Sequence, residues 1–202
     1  MRKHNKNNKI NKLIMLPAFG IAALSSAVIL GAAPSSYAAT TATPKVDVTI
    51  GSVLAITAAD IAINIAAPSQ AGVFATGTGT VNVATNNVSG YSAYLTSNTT
   101  ATTLDHESVS ASKIASITSA QSVSGTGAKF STANTWGWSK DGTNFNPISA
   151  KGTAQGTSTL YRQTSAPSPS GDASTLTIGV TANTSLTSGK YTGTLLLTAV
   201  GN

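Results

Sequence analysis

The chain predicts an all-β protein, an antiparallel β-sandwich that follows an N-terminal signal peptide. Three observations predict it. Apolar and polar residues alternate at period two in several short runs, which is the pattern of half-buried strands. Turn residues punctuate those runs at short intervals. Charged residues make up only 9% of the chain, and long charged side chains at helical spacing are missing, so amphipathic helices find no support.

The first 38 residues read as the leader. Met1–Lys12 carries Arg2, Lys3, Lys6, Lys9 and Lys12 and no acid. An apolar run follows from Leu13 to Ala33, then Pro34-Ser35-Ser36-Tyr37-Ala38. A basic start, an apolar middle and small residues at Ser36 and Ala38 define a secretory signal, with cleavage expected between Ala38 and Ala39. The alternative is an uncleaved membrane anchor, which Pro17, Gly20 and Ser25-Ser26 weaken as a span. A prepilin leader is excluded, because the fifth residue after Gly20 is Ser25 rather than Glu and no long helix follows. Ala39–Pro44 reads as a flexible tether, and residues 45–202 as the β-domain.

The strands follow in order. Val46, Val48 and Ile50 alternate with Asp47 and Thr49 and predict a first strand over Lys45–Ile50. Ile61, Ile63 and Ile65 alternate with Ala62 and Asn64. Val81 and Val83 form the next run, and Asn86-Asn87-Val88-Ser89-Gly90 turns the chain towards Tyr91, Ala93 and Leu95. Tyr91 and Tyr94 are three apart and face opposite sides of a strand. Thr99–Ser131 is undecided, with Lys113–Thr118 either a short strand or one helical turn. Asp141-Gly142 is a hairpin signal between Trp136–Lys140 and Thr143–Ile148. Thr164–Asp172, containing Pro167, Pro169 and Gly171, reads as a loop. Leu176, Ile178 and Val180 then alternate with threonines or glycine. In the closing strand, Lys190–Val200, one face carries Tyr191, Gly193, Leu195, Leu197 and Ala199.

Composition narrows the function. Most of the net charge of +6 belongs to the leader, since five of the 12 lysines and arginines lie there and all 6 acids lie beyond it, which leaves the rest at +1. No basic stripe remains, and a nucleic-acid partner is not expected. Cysteine is absent, so neither a disulfide nor a lipid-modified cysteine is available, which leans towards a Gram-positive-type surface. A membrane is expected as a partner only through an uncleaved leader. No LPxTG-like motif precedes Asn202, so covalent wall sorting is not expected.

Catalytic material is scarce. Beyond the leader there is one histidine, His106, and one glutamate, Glu107; with Asp105 they form a local cluster that reads as a solvated loop. No G-x-S-x-G elbow accompanies them, and a zinc site would need further ligands. No enzyme activity, cofactor or metal is expected. Trp136-Gly137-Trp138 is the better candidate. Two indoles two residues apart on a strand share a face. Exposed, they would form with Tyr94 a stacking platform for a sugar; buried, they would fill the core of a sheet otherwise built from small residues, and core is the preferred reading. A third candidate is assembly, in which a terminal strand pairs with a neighbouring subunit. An isopeptide crosslink from Lys45 or Lys190 to Asn202 is a weaker idea.

Three motifs come in a set order: Thr85-Asn86-Asn87-Val88-Ser89-Gly90-Tyr91, Asn134-Thr135-Trp136-Gly137-Trp138-Ser139, and Ser188-Gly189-Lys190-Tyr191-Thr192-Gly193-Thr194. This order resembles a loose group of bacterial exported surface proteins, over most of residues 45–202. The closing strand is also similar to the last strand of fimbrial subunits. The resemblance implies an immunoglobulin-like sandwich on the cell surface without catalytic residues. It departs from the wall-binding domains marked by a W-x-L signature, since the tryptophans here read Trp-Gly-Trp-Ser. The expected function is therefore a secreted or surface-displayed structural or adhesive protein: a surface-layer component, a fimbria-like subunit or an adhesin. The expected partners are other copies of the chain, or a host or wall glycan or protein. The alternative is a carbohydrate- or cell-wall-binding module, or less readily a cell-wall hydrolase.

Overall fold

A computed structural model describes residues 45–202 of the chain. The leader, its cleavage point at Ala38–Ala39 and the tether lie outside the described residues. The chain divides into two units, residues 1–47 and Val48–Asn202. Of the first unit, Lys45–Asp47 is described; it is exposed and forms no strand.

The second unit is all-β, with no helix among the described residues. Its strands are β1 (Leu54–Ala58), β2 (Val73–Thr85), β3 (Tyr91–Ser97), β4 (Leu104–His106), β5 (Lys113–Ser116), β6 (Gln121–Ser122), β7 (Thr135–Ser139), β8 (Asn144–Phe145), β9 (Leu160–Gln163), β10 (Ser168–Ala182), β11 (Tyr191–Thr192) and β12 (Leu195–Gly201). A seven-stranded sheet runs β1-β2-β10-β7-β5-β4-β11, a three-stranded sheet runs β12-β3-β9, and β6 pairs with β8. The pairings are antiparallel except β5 with β7, which is parallel. That pair departs from the antiparallel expectation because residues 117–134 cross over between the two strands, as parallel neighbours require.

One core joins the two larger sheets. Val81 and Val83 of β2, Trp136 and Trp138 of β7, and Leu176, Ile178 and Val180 of β10 meet Tyr91, Ala93 and Leu95 of β3 and Tyr161 of β9. β10 is covered on its other face as well. Ile117, Val123, Phe130 and Phe145 form a second cluster, with Phe74 packed against it. The three phenyl rings meet edge to face at 5.2–5.6 Å, the arrangement their quadrupoles favour. This accounts for the burial of Thr177 and Thr181 beside the apolar residues of β10.

Several expected elements are corrected. Lys45–Ile50 forms no strand among the described residues. Ile61–Ile65 is not hydrogen-bonded into a sheet, yet its alternation is real: the isoleucines are half-buried and pack on the main core. Gly77 and Gly79 of β2 make room for them, since a Cβ at either site would strike Ile61, Ile63 or the backbone between them. The Thr164–Asp172 loop is shorter than expected, because β10 begins at Ser168 and absorbs the irregularity as a register shift between Ser168 and Asp172. The closing strand is split. Tyr191–Thr192 pairs with β4 in the large sheet, and Leu195–Gly201 pairs with β3 in the small one. Lys113–Ser116 resolves as a strand. After β7 the chain reverses as expected, but through a wider loop: Trp138 and Asn146 exchange backbone hydrogen bonds of 3.0 and 2.7 Å.

Candidate functional site

Trp136 and Trp138 are each 3% exposed. Their strand lies between β10 and β5, and their rings face the main core. Each buried indole N–H has a carbonyl partner, Thr102 for Trp136 at 2.9 Å and Pro147 for Trp138 at 3.0 Å. Tyr94 lies on the opposite face of β3 from Tyr91, Ala93 and Leu95 and is half-buried. The three residues therefore do not share an exposed face, and the proposed stacking platform is not assembled here. The reason is volume. A sheet of valine, threonine, alanine and glycine needs a few large rings to fill its interior.

His106 is also not in a solvated loop. It ends β4 and is 8% exposed. Its Nδ1 accepts hydrogen bonds from the backbone N–H groups of Ser108 (3.1 Å) and Val109 (3.0 Å). That leaves Nε2 as the N–H, donating to the carbonyl of Ser188 at 3.1 Å. Its ring meets Tyr191 edge to face at 5.0 Å. His106 thus ties the turn after β4 to the approach of β11. Asp105 pairs with Lys113 at 2.8 Å and accepts from Thr103; these bonds hold its carboxyl below the ordinary range, Lys113 foremost. Glu107 is exposed. Asp141 organises its loop, accepting from the backbone N–H groups of Thr143 and Asn144, the Asn144 amide and Ser139; these bonds depress its carboxyl strongly. The side chain of Asn202 accepts from Ser92 and donates to the carbonyls of Ser89 and Thr164, so it is held by hydrogen bonds.

A second polar site, not expected from the sequence, lies at the outer strand β9. Arg162 binds Asp172 with two parallel hydrogen bonds of 2.7 Å, from Nε and Nη2. The fully buried Tyr91 donates its hydroxyl to the same carboxylate at 2.7 Å. Arg162 first, and Tyr91 with it, lowers the Asp172 carboxyl against the opposing effect of burial. Burial and the neighbouring carboxylate push the Tyr91 phenol up to about 12. Sequence offered one hint: Arg162 is the sole arginine beyond the leader. Arg162 lines a cavity of about 200 Å³ with Lys140, Tyr161, Gln163, Ser174 and Thr175. The hydroxyls of Tyr161 and Ser174 lie 2.9 Å apart on its wall. Gly90, at φ 75° beneath the Thr164 carbonyl, closes the turn that delivers Tyr91; a side chain there would meet both steric and backbone strain.

The other conspicuous surface is apolar. Val46, Val48 and Ile50 are 81%, 79% and 81% exposed. Val53, just after them, is also exposed, although Asn86 holds its N–H and the Gly51 carbonyl.

No family model, curated protein or solved structure matches this chain.

Proposed function

We propose that this is an exported, non-enzymatic structural protein of the bacterial surface, which assembles by lending its Lys45–Ile50 segment as a strand to a second copy. The observation that carries the reading is the exposure of Val46, Val48 and Ile50 in a segment of alternating sequence that joins no ladder among the described residues. Such a segment is a strand in sequence that pairs with no other strand among the described residues. Sheet edges accept added strands through main-chain hydrogen bonds. Acceptor edges exist on the same molecule, because β9 and β12 flank the three-stranded sheet.

Export rests on the leader over residues 1–38 and surface display on the sequence resemblance. Two sheets sharing one core support an immunoglobulin-like sandwich as the finer description of the fold. A structural role is supported by the use of Asp105, Asp141 and Asp172 in pairs and loop closures.

Size-exclusion chromatography with light scattering tests the reading. The purified protein is expected to form concentration-dependent oligomers. Val48→Pro, which removes a ladder donor from an exposed segment, is expected to yield monomer with an unchanged melting temperature. A wild-type protein that stays monomeric at every concentration would contradict it.

A further inference from the structure

The cavity beside β9 has a chemistry of its own. Both charged groups on its wall, Lys140 and Arg162, are cations. The carboxylate that meets Arg162, Asp172, has both oxygens committed, Oδ1 to Arg162 and Oδ2 to Arg162 and Tyr91. Only Nε and Nη2 of Arg162 are used in that pair, so Nη1 keeps its two donors, with no protein partner among the described residues. Lys140 stands in the loop after β7 and has no carboxylate partner among the described residues. Gln163, Thr175 and the Tyr161–Ser174 hydroxyl pair share the wall with them.

We propose that this cleft binds one anionic sugar or polyol unit, its oxyanion between Lys140 and Arg162 and its hydroxyls against Tyr161, Ser174 and Thr175. Three features favour this. Lys140 brings a positive charge to the wall that no carboxylate pairs among the described residues, and Arg162 keeps Nη1 donors beyond its pair with Asp172. Arg162 is already immobilised by Asp172, and Asp172 by the buried Tyr91, so little side-chain freedom remains to be lost on binding. The Tyr161 ring is itself fixed, tilted against Trp138 at a centroid distance of 6.0 Å, and it offers a firm wall with a hydroxyl at its end. The cavity volume, about 200 Å³, has room for a single ring-sized unit. The proposal goes beyond assembly through Lys45–Ile50 and does not depend on it.

The oxyanion could be a carboxylate, as on a uronic acid, or a phosphate, as on a phosphopolyol of a wall polymer. Three probes separate these: D-glucuronic acid, glycerol 1-phosphate and neutral D-glucose, titrated into the purified protein and followed by calorimetry and backbone amide shifts. Saturable binding of either anion, with shifts at Arg162, Gln163 and Ser174 and weaker binding of glucose, supports the site. Glucuronate alone assigns a carboxylate sugar; the phosphate alone assigns a phosphopolyol; both assign the shared oxyanion. Lys140→Glu is expected to weaken the bound anion about tenfold, since charge reversal replaces attraction with repulsion. Lys151→Glu, which alters a lysine outside the cavity, controls for net charge. Arg162 is left intact because the fold uses it. The proposal is overturned if neither anion binds, if glucose binds equally well, or if the two lysine variants behave alike. Oligomer size is read separately by light scattering, so either idea can fail without the other.

Discussion

β10 and the Lys45–Ile50 segment carry the same alternation. In β10, Leu176, Ile178 and Val180 are buried, with β2 and β7 on either side and a phenylalanine cluster over the far face. In Lys45–Ile50, Val46, Val48 and Ile50 stand in the open. Period two therefore specifies which residues share a face and leaves open which strand, or which molecule, supplies the neighbour. The inner strand answers that question within the chain. The outer segment leaves it open among the described residues.

The largest effect should come from the inner region. Trp136→Ala removes a core ring and leaves the Thr102 carbonyl without its N–H partner. A loss of about 3–5 kcal/mol is expected in chemical denaturation. Retention of the melting temperature would break the contrast, because it would make the inner strand as dispensable as the outer segment.

Next comes the polar network at the rim of the core. Tyr91→Phe keeps the ring and deletes the hydroxyl that bonds Asp172. A loss of about 1–3 kcal/mol is expected, since one oxygen of a carboxylate loses a buried donor. Urea unfolding of the variant measures it, and an unchanged midpoint would show that the hydroxyl is incidental.

Acid should act through the same network. The folded Asp172 carboxyl titrates below its unfolded value, held there by Arg162 and Tyr91. Its contribution is therefore present above the unfolded value of about 4 and is lost as pH falls towards the folded value. Asp172→Asn should flatten the acid limb of the stability curve relative to wild type. Asp105 and Asp141 keep their own shares of that limb, because both are also depressed. Parallel curves for wild type and variant would remove Asp172 from the account.

The smallest effect on stability belongs to the outer segment. Val48→Pro should change the unfolding free energy by less than about 0.5 kcal/mol, as expected of an exposed site without partners, while abolishing oligomers. A large destabilisation would mean that the segment already pairs within its own molecule.

The sequence carried the β class because alternation and turn residues are local signals. It also carried the core, through Val81, Tyr91, Leu95, Trp136 and Leu176. It did not carry the parallel β5–β7 pair or the split of the closing strand at Gly193, since both depend on which distant strand lies alongside. Ile61–Ile65 shows a further ambiguity: a chain lying over glycines alternates in burial just as a hydrogen-bonded strand does. His106 looked like loop because its partners, at Ser108, Val109 and Ser188, are backbone groups with no sequence signature. The Tyr91–Asp172–Arg162 network was hidden for the same reason as the strand order. Tyr91 lies 81 residues from Asp172 along the chain, and the fold brings it to the Arg162–Asp172 pair.

Amide hydrogen exchange of Val46–Ile50 at two protein concentrations tests the central claim most directly. If the segment adds to a second copy, these amides should exchange freely when dilute and become protected when concentrated, while the amides of β10 stay protected in both. Free exchange at both concentrations would contradict strand donation, and equal protection at both would place the segment's partner within its own molecule.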